Sequence, residues 1–107
     1  LSSPTTRSKA LLEKRGYLVA IVEKVIPHSF IKIDLFGFGD LLAVKPGMIL
    51  LVQTTSASNI TSRVKKIEAH DNYPMVLASG MLVEVHGWRK PANSRRWEVT
   101  IRTPGVP

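Results

Sequence analysis

"DLLAVKPGMILLVQTT", residues 40–55, is the stretch whose reading decides the fold. Two apolar runs flank Lys45-Pro46-Gly47, and a Pro-Gly pair between such runs fits a tight turn. Both runs are apolar at odd and even positions alike, as expected of strands in the middle of a sheet covered on each side. The second run nevertheless ends on Gln53, Thr54 and Thr55. Side chains alternate faces along a strand, so Gln53 and Thr55 share one face, and the turn brings that strand end back towards Asp40. An acid at one strand mouth beside oxygen donors on the next suits Mg²⁺, with Mn²⁺ as its substitute: hard oxygen ligands, with positions left for water and a phosphate.

Upstream, Thr5 or Thr6 can cap a helix that runs to about Arg15, where Gly16 stops it; Ala10, Leu11 and Leu12 supply its apolar side. "YLVAIVEKVI", residues 17–26, is rich in β-branched and aromatic residues and reads as one strand, ended by Pro27-His28-Ser29. "FIKID", residues 30–34, is a further short strand or an edge, and Gly37 and Gly39 loosen the backbone just before Asp40.

Downstream, Ser58 or Asn59 caps a helix in which Ile60, Val64 and Ile67 form the apolar stripe and Arg63, Lys65 and Lys66 the basic face. After the Asn72-Tyr73-Pro74 break comes an apolar stretch with little periodicity. "MLVEVHGW" and "RRWEVTIR" then alternate as strands, joined by a basic, polar connection. The predicted order is α-β-β-β-α-β-β, a mixed sheet flanked by helices in the α/β or α+β class, with one domain over residues 1–107 and frayed ends at about 1–4 and 103–107.

Composition narrows the functions. A chain of 107 residues holds about one core, and 44% apolar with 21% charged residues is ordinary globular usage. No apolar run approaches the roughly 18 residues of a membrane helix, and the start on Leu lacks the plan of a secretory signal and reads as trimmed. The absence of cysteine excludes a disulfide scaffold, a thiolate zinc site and a cysteine nucleophile, and favours the cytoplasm. A net charge of +7 favours a polyanionic partner, DNA before membrane. His28, His70 and His86 are too scattered for a zinc motif, no G-x-S-x-G elbow is present, and "GFGDLLAVKPG" lacks the ending of a phosphate loop.

"GFGD" ending at Asp40, followed by "QTT" at 53–55, resembles the PD-(D/E)XK nuclease superfamily, with an Asp before the second core strand and an acid-x-Lys on the third. "LLEKRGYLV", residues 11–19, looks like the opening of archaeal-type Holliday junction resolvases. "DLFGFGDLLAV" with "VQTTSASNITSRVKKI" resembles small phage and prophage nuclease-like proteins, and the likeness spans about residues 7–102. It implies a Mg²⁺-dependent DNA endonuclease, acting on branched or single-stranded DNA, in a bacterial host cytoplasm if of phage origin; resolvase action further implies a homodimer.

Three charges of that pattern are missing. Gln53 stands where the superfamily has an acid, Thr55 where it has Lys, and Thr5 where resolvases carry a Glu in the first helix. Asp34 or Glu23 can replace a carboxylate, and Lys24, Lys32 or Lys45 an ammonium, since the chemistry needs a charge at a place rather than at a sequence position. Catalytic candidates are thus Asp34, Asp40, Gln53, Glu23 and Lys24, with Asp34, Asp40 and Gln53 as metal ligands. For DNA they are Arg63, Lys65 and Lys66 on the helix, and Trp88, Arg89, Lys90, Arg95 and Arg96 in the final hairpin, where cations and aromatics together suit a backbone and an unpaired base. The plainer account makes Asp40 a turn residue, Gln53 to Ser56 a polar strand exit, and the two tryptophans a cross-strand pair. A catalytically lapsed fold kept as a DNA-binding module lies between these.

Overall fold

The computed structural model describes residues 3–105. Helix α1 covers Pro4–Lys14, and the strands before the Pro-Gly turn are β1 (Leu18–Ile21), β2 (Lys24–Ile26), β3 (Ile31–Ile33) and β4 (Leu41–Lys45). Then come β5 (Met48–Ser56), a 3₁₀ turn at Ala57–Asn59, α2 (Ile60–Glu68), α3 (Tyr73–Ala78), β6 (Leu82–Arg89) and β7 (Glu98–Arg102). Five strands form one mixed sheet in the order β1-β4-β5-β6-β7, and β2 and β3 form a separate hairpin. All pairs are antiparallel except β5 with β6, where α2 and α3 make the crossover.

The class is as expected; the element order differs in three places, the first being that residues 30–34, left open as a strand or an edge, supply β3 at Ile31–Ile33. Residues 17–26 break into β1 and β2, because the next rung after Ile21↔Leu41, Val22 N–H to the Asp40 carbonyl, is shared with the Glu23 N–H, and two residues opposite one end the regular pairing. The apolar stretch after Pro74 is α3, a helix of 6 residues, too short to display a period.

Alternation along β5 assigns the two cores. Leu50 and Val52 join Leu12, Leu41 and Ala43 under α1. Leu51 joins Val83, Val85, Phe38 and the inner faces of α2 and α3, including the expected Ile60, Val64 and Ile67. Both faces of the central strands are covered, which is why they read as continuous apolar runs. The Lys45↔Met48 pair closes on the two-residue Pro46-Gly47 loop, with Gly47 at φ 77°. No helix among the described residues is long and apolar enough to cross a membrane.

The ends are tied down. Ser3, not Thr5 or Thr6, caps α1: its hydroxyl accepts from the Thr6 N–H at 3.1 Å, and Pro4 takes the first helical position, where its fixed φ and missing N–H cost nothing. At the other end, the Tyr73 hydroxyl donates to the Pro104 carbonyl at 2.9 Å and the Gly105 N–H to Glu68. Of the ends expected to fray, at about 1–4 and 103–107, residues 1–2 and 106–107 lie outside the described range.

The inner face of α1 is also more polar than expected. Ala10 is exposed, and the buried residues are Thr5, Ser8 and Leu12. Thr5 bonds the Thr54 hydroxyl at 2.8 Å. Trp88 Nε1 can only donate, so Ser8 Oγ accepts from it at 2.8 Å and passes its own hydrogen to His86 Nδ1 at 2.9 Å. His86 Nε2 then donates to Glu84 at 3.0 Å. Ser8 and His86 are both 0% exposed, so this row is a docking device for α1 and not a nucleophile. Ser8→Ala removes one oxygen but strands two buried groups, each costing about 1–3 kcal/mol. Urea unfolding is expected to show a loss well beyond that of an ordinary surface Ser→Ala.

Candidate metal centre and adjoining cleft

Two nested reversals of the chain assemble the candidate site. In the β2–β3 hairpin, Lys24 faces Ile33, which sets the preceding Glu23 opposite the following Asp34. Residues 34–40 then fold back on themselves through the Leu35↔Gly39 bridge, which sets Asp34 near Asp40. Ligand oxygens of Glu23, Asp34 and Asp40 accordingly lie within 4.8 Å of one another, a cluster able to hold a metal ion.

The glycines of "GFGD" make the second reversal fit. Gly37 has φ 94°, and a Cβ there would fall 2.3 Å from His70 Nε2. A Cβ on Gly39 would fall 2.2 Å from Leu51 Cδ1 in the core. Between them Phe38 is buried, edge-on to the rings of His70 and Tyr73, and anchors the loop. The motif thus owes its glycines to close packing, and through it to the position of the two aspartates.

Asp40 is fixed from β5. Its N–H donates to the Val52 carbonyl at 2.8 Å, and its Oδ2 accepts from the Thr54 N–H at 2.8 Å and hydroxyl at 3.2 Å. Its Oδ1 points into the cluster, where the Lys32 ammonium lies 3.1 Å from it, 2.7 Å from Glu23 Oε2 and 3.6 Å from Asp34 Oδ1. Lys32 is thus the partner that these three oxygens share. Gln53 Oε1 is buried with no hydrogen-bond donor from the described residues. Carboxylate and amide oxygens of this kind suit a hard cation.

Electrostatics follow from this crowding. Burial works against the Lys32 charge, but Glu23 and the charge of Asp40 outweigh it and hold the ammonium above its usual pKa. For Asp34, burial and then the neighbouring Asp40 carboxylate push the pKa from 3.8 up to about 6. The folded chain thus holds this proton more tightly than the unfolded one. The stabilisation is fully present below pH 3.8 and is lost as pH rises through about 6. In thermal melts with chelator, the native chain is expected to lose more stability between pH 4.5 and pH 7 than Asp34→Asn, which cannot titrate.

The predicted residues fall into three groups. Asp40, Asp34 and Glu23 converge, and Gln53, only 6% exposed, lines with Asp34 an open cleft of about 520 Å³. Lys24 does not join them: it is on the other face of the hairpin, exposed, and Lys32 takes the place foreseen for it. Lys45 instead stacks on Tyr17. Register decides this, since Val25 pairs with Lys32, so Lys32 and Asp34 share the face that Glu23 also presents. Thr55 is buried on the Gln53 face and carries no charge to the site.

Arg63 and Lys66 line the cleft with His70 and Asp71, whereas Lys65 is exposed away from it. His70 is a residue that sequence reasoning passed over as a turn position; its Nδ1 accepts from the Asn72 N–H at 3.0 Å. Arg89, Lys90, Arg95 and Arg96 are exposed at the far end of β6 and in the following loop. Trp88 is buried and pairs with Val99, not with Trp97, so a base could stack on it only after repacking. Trp97 keeps 42% exposure, and the Arg7 guanidinium lies 3.6 Å from its ring centre and 5.5 Å from that of Trp88.

No protein-family model matches the chain, and no curated protein matches it.

Proposed function

We propose that the chain is a Mg²⁺-dependent DNA endonuclease of the PD-(D/E)XK type, acting on branched or single-stranded DNA. The observation that carries the proposal is the meeting of three carboxylates and one ammonium beside a cleft lined by Asp34, the buried amide of Gln53, Arg63 and Lys66. The donor set fits the ion: Asp40, Asp34 and Glu23 supply anionic oxygens, and Gln53 a neutral one. A bound Mg²⁺ supplies Lewis-acid polarisation of a phosphodiester and a more acidic water.

The remaining work belongs to the side chains. Asp40, held by Thr54, sets the position of the ligand group. Arg63 and Lys66 neutralise phosphates along the cleft and orient the strand, a contact that weakens with salt. Lys32 is the ammonium available to the developing phosphorane charge, the part that the missing acid-x-Lys would have played.

A lapsed enzyme that keeps only its grip on DNA is favoured by one feature: Lys32 already ion-pairs with all three carboxylates and offsets part of their charge without a metal. Labelled duplex, single-stranded and four-way-junction DNA, incubated with Mg²⁺, Mn²⁺ or chelator, separates the two. Metal-dependent cuts support the nuclease; salt-sensitive binding with no cut under any metal overturns it.

A further inference from the structure

The β2–β3 hairpin is two-faced. Glu23, Val25, Lys32 and Asp34 share one side, while Ile26, Ile31 and Ile33 on the other remain 36, 54 and 48% exposed. Phe30 at the tip is fully exposed with φ 56°. A two-stranded hairpin is marginal in water unless something holds it. Among the described residues the hairpin's ion pairs all run through Lys32, whose ammonium lies within 3.6 Å of an oxygen of each of the three carboxylates. The site beside it asks for a ligand: Gln53, which lines the cleft with Asp34, is 6% exposed, and its Oε1 is buried with no donor from the described residues, while Asp40 Oδ1, on a residue 1% exposed, has Lys32 as its partner.

We propose that Lys32 is a tethered cation occupying the metal position, so that a divalent ion must displace it and in doing so releases the β2–β3 hairpin from the carboxylate cluster. This rests on the metal-site reading given above and adds its regulation. An ammonium and a divalent cation cannot share oxygens this close together, so metal binds only the lysine-out state. Its observed affinity is the intrinsic one reduced by the fraction of chains in that state. Release has a direct use: it turns the Lys32 charge from the carboxylates towards a phosphate entering the cleft that Arg63 and Lys66 line.

The test uses Mg²⁺ and Mn²⁺ alone, by calorimetric titration, on the native chain and on Lys32→Met, which keeps the aliphatic stem. Amide hydrogen exchange across residues 24–33 of the native chain is recorded with and without saturating metal. Expected are at least tenfold tighter metal binding by Lys32→Met and faster hairpin exchange in the metal-loaded native chain. Equal or weaker binding by the variant, no metal binding by either chain, or hairpin exchange indifferent to metal overturns the proposal. Exchange in the native chain keeps the test decisive even if the variant folds poorly. Cleavage is read separately: metal-driven release with no hydrolysis supports the tethered cation and removes only the nuclease, whereas hydrolysis with an unmoved hairpin overturns the tethered cation alone.

Discussion

Asp40→Asn is expected to weaken Mg²⁺ binding by about 10–100-fold or more, the range commanded even by the partners of metal ligands, and to take metal-dependent cleavage below detection. Folding should survive it. The Asn oxygen can still accept from the Thr54 N–H, which now lies 2.8 Å from Asp40 Oδ2, and one charge leaves a crowded trio of carboxylates. In chelator, the melting temperature should therefore stay within a few degrees of the native chain. Asp40→Ala differs, since it leaves the Thr54 N–H without its acceptor at a cost of about 1–3 kcal/mol. Calorimetric titration and melting of both variants side by side separate the ligand role of Asp40 from its structural one. A turn residue and nothing more would show loss of stability without loss of metal binding in Asp40→Asn.

Gly39→Ala should be the most damaging small change near the site. The added carbon would overlap Leu51, which is 0% exposed and has nowhere to withdraw, and overpacking of this kind costs about 1–3 kcal/mol or more. At this chain length each kcal/mol is worth about 4–8 °C in melting temperature. The relief available to the loop is to lift away from β5, which parts Asp34 from Asp40, so metal affinity should fall together with stability. Gly47→Ala is the control: it has positive φ but nothing within 4 Å, so its cost is the conformational one of about 1 kcal/mol, with metal binding untouched. Thermal melts and metal titrations of the two variants are expected to diverge in this way.

The central strands and their turn were legible because β4 and β5 are buried on both faces and joined by Pro46-Gly47, a local signal with a single reading. The stripe on α2 was legible for the same local reason. What escaped was set by partners distant in sequence. Nothing in "VEK" marks a break, yet Val22 and Glu23 turn towards the Asp40 carbonyl. Lys24 and Lys32 look equivalent until the pairing of Val25 with Lys32 puts them on opposite faces. Asp34, Asp40 and Gln53 were visible because they interrupt apolar or glycine-rich context. The convergence of Asp34 with Asp40 needed the Leu35↔Gly39 bridge, which no spacing rule reports. The polarity of α1 was misjudged because Ser8 finds its partners 78 and 80 residues away.

That last separation also orders events in time. Helix α1 leaves a ribosome before every strand among the described residues, yet the groups that satisfy Ser8 come from β6, 78 and 80 residues later. A short helix with a half-polar inner face has little to hold it before then. Docking of α1 must therefore follow the parallel joining of β5 to β6, itself a non-local and slow step. Until Trp88 arrives, the face of the sheet that buries Leu41, Ala43, Leu50 and Val52 stands uncovered, and that waiting interval is when a nascent chain is most exposed to aggregation and to the chaperones that prevent it.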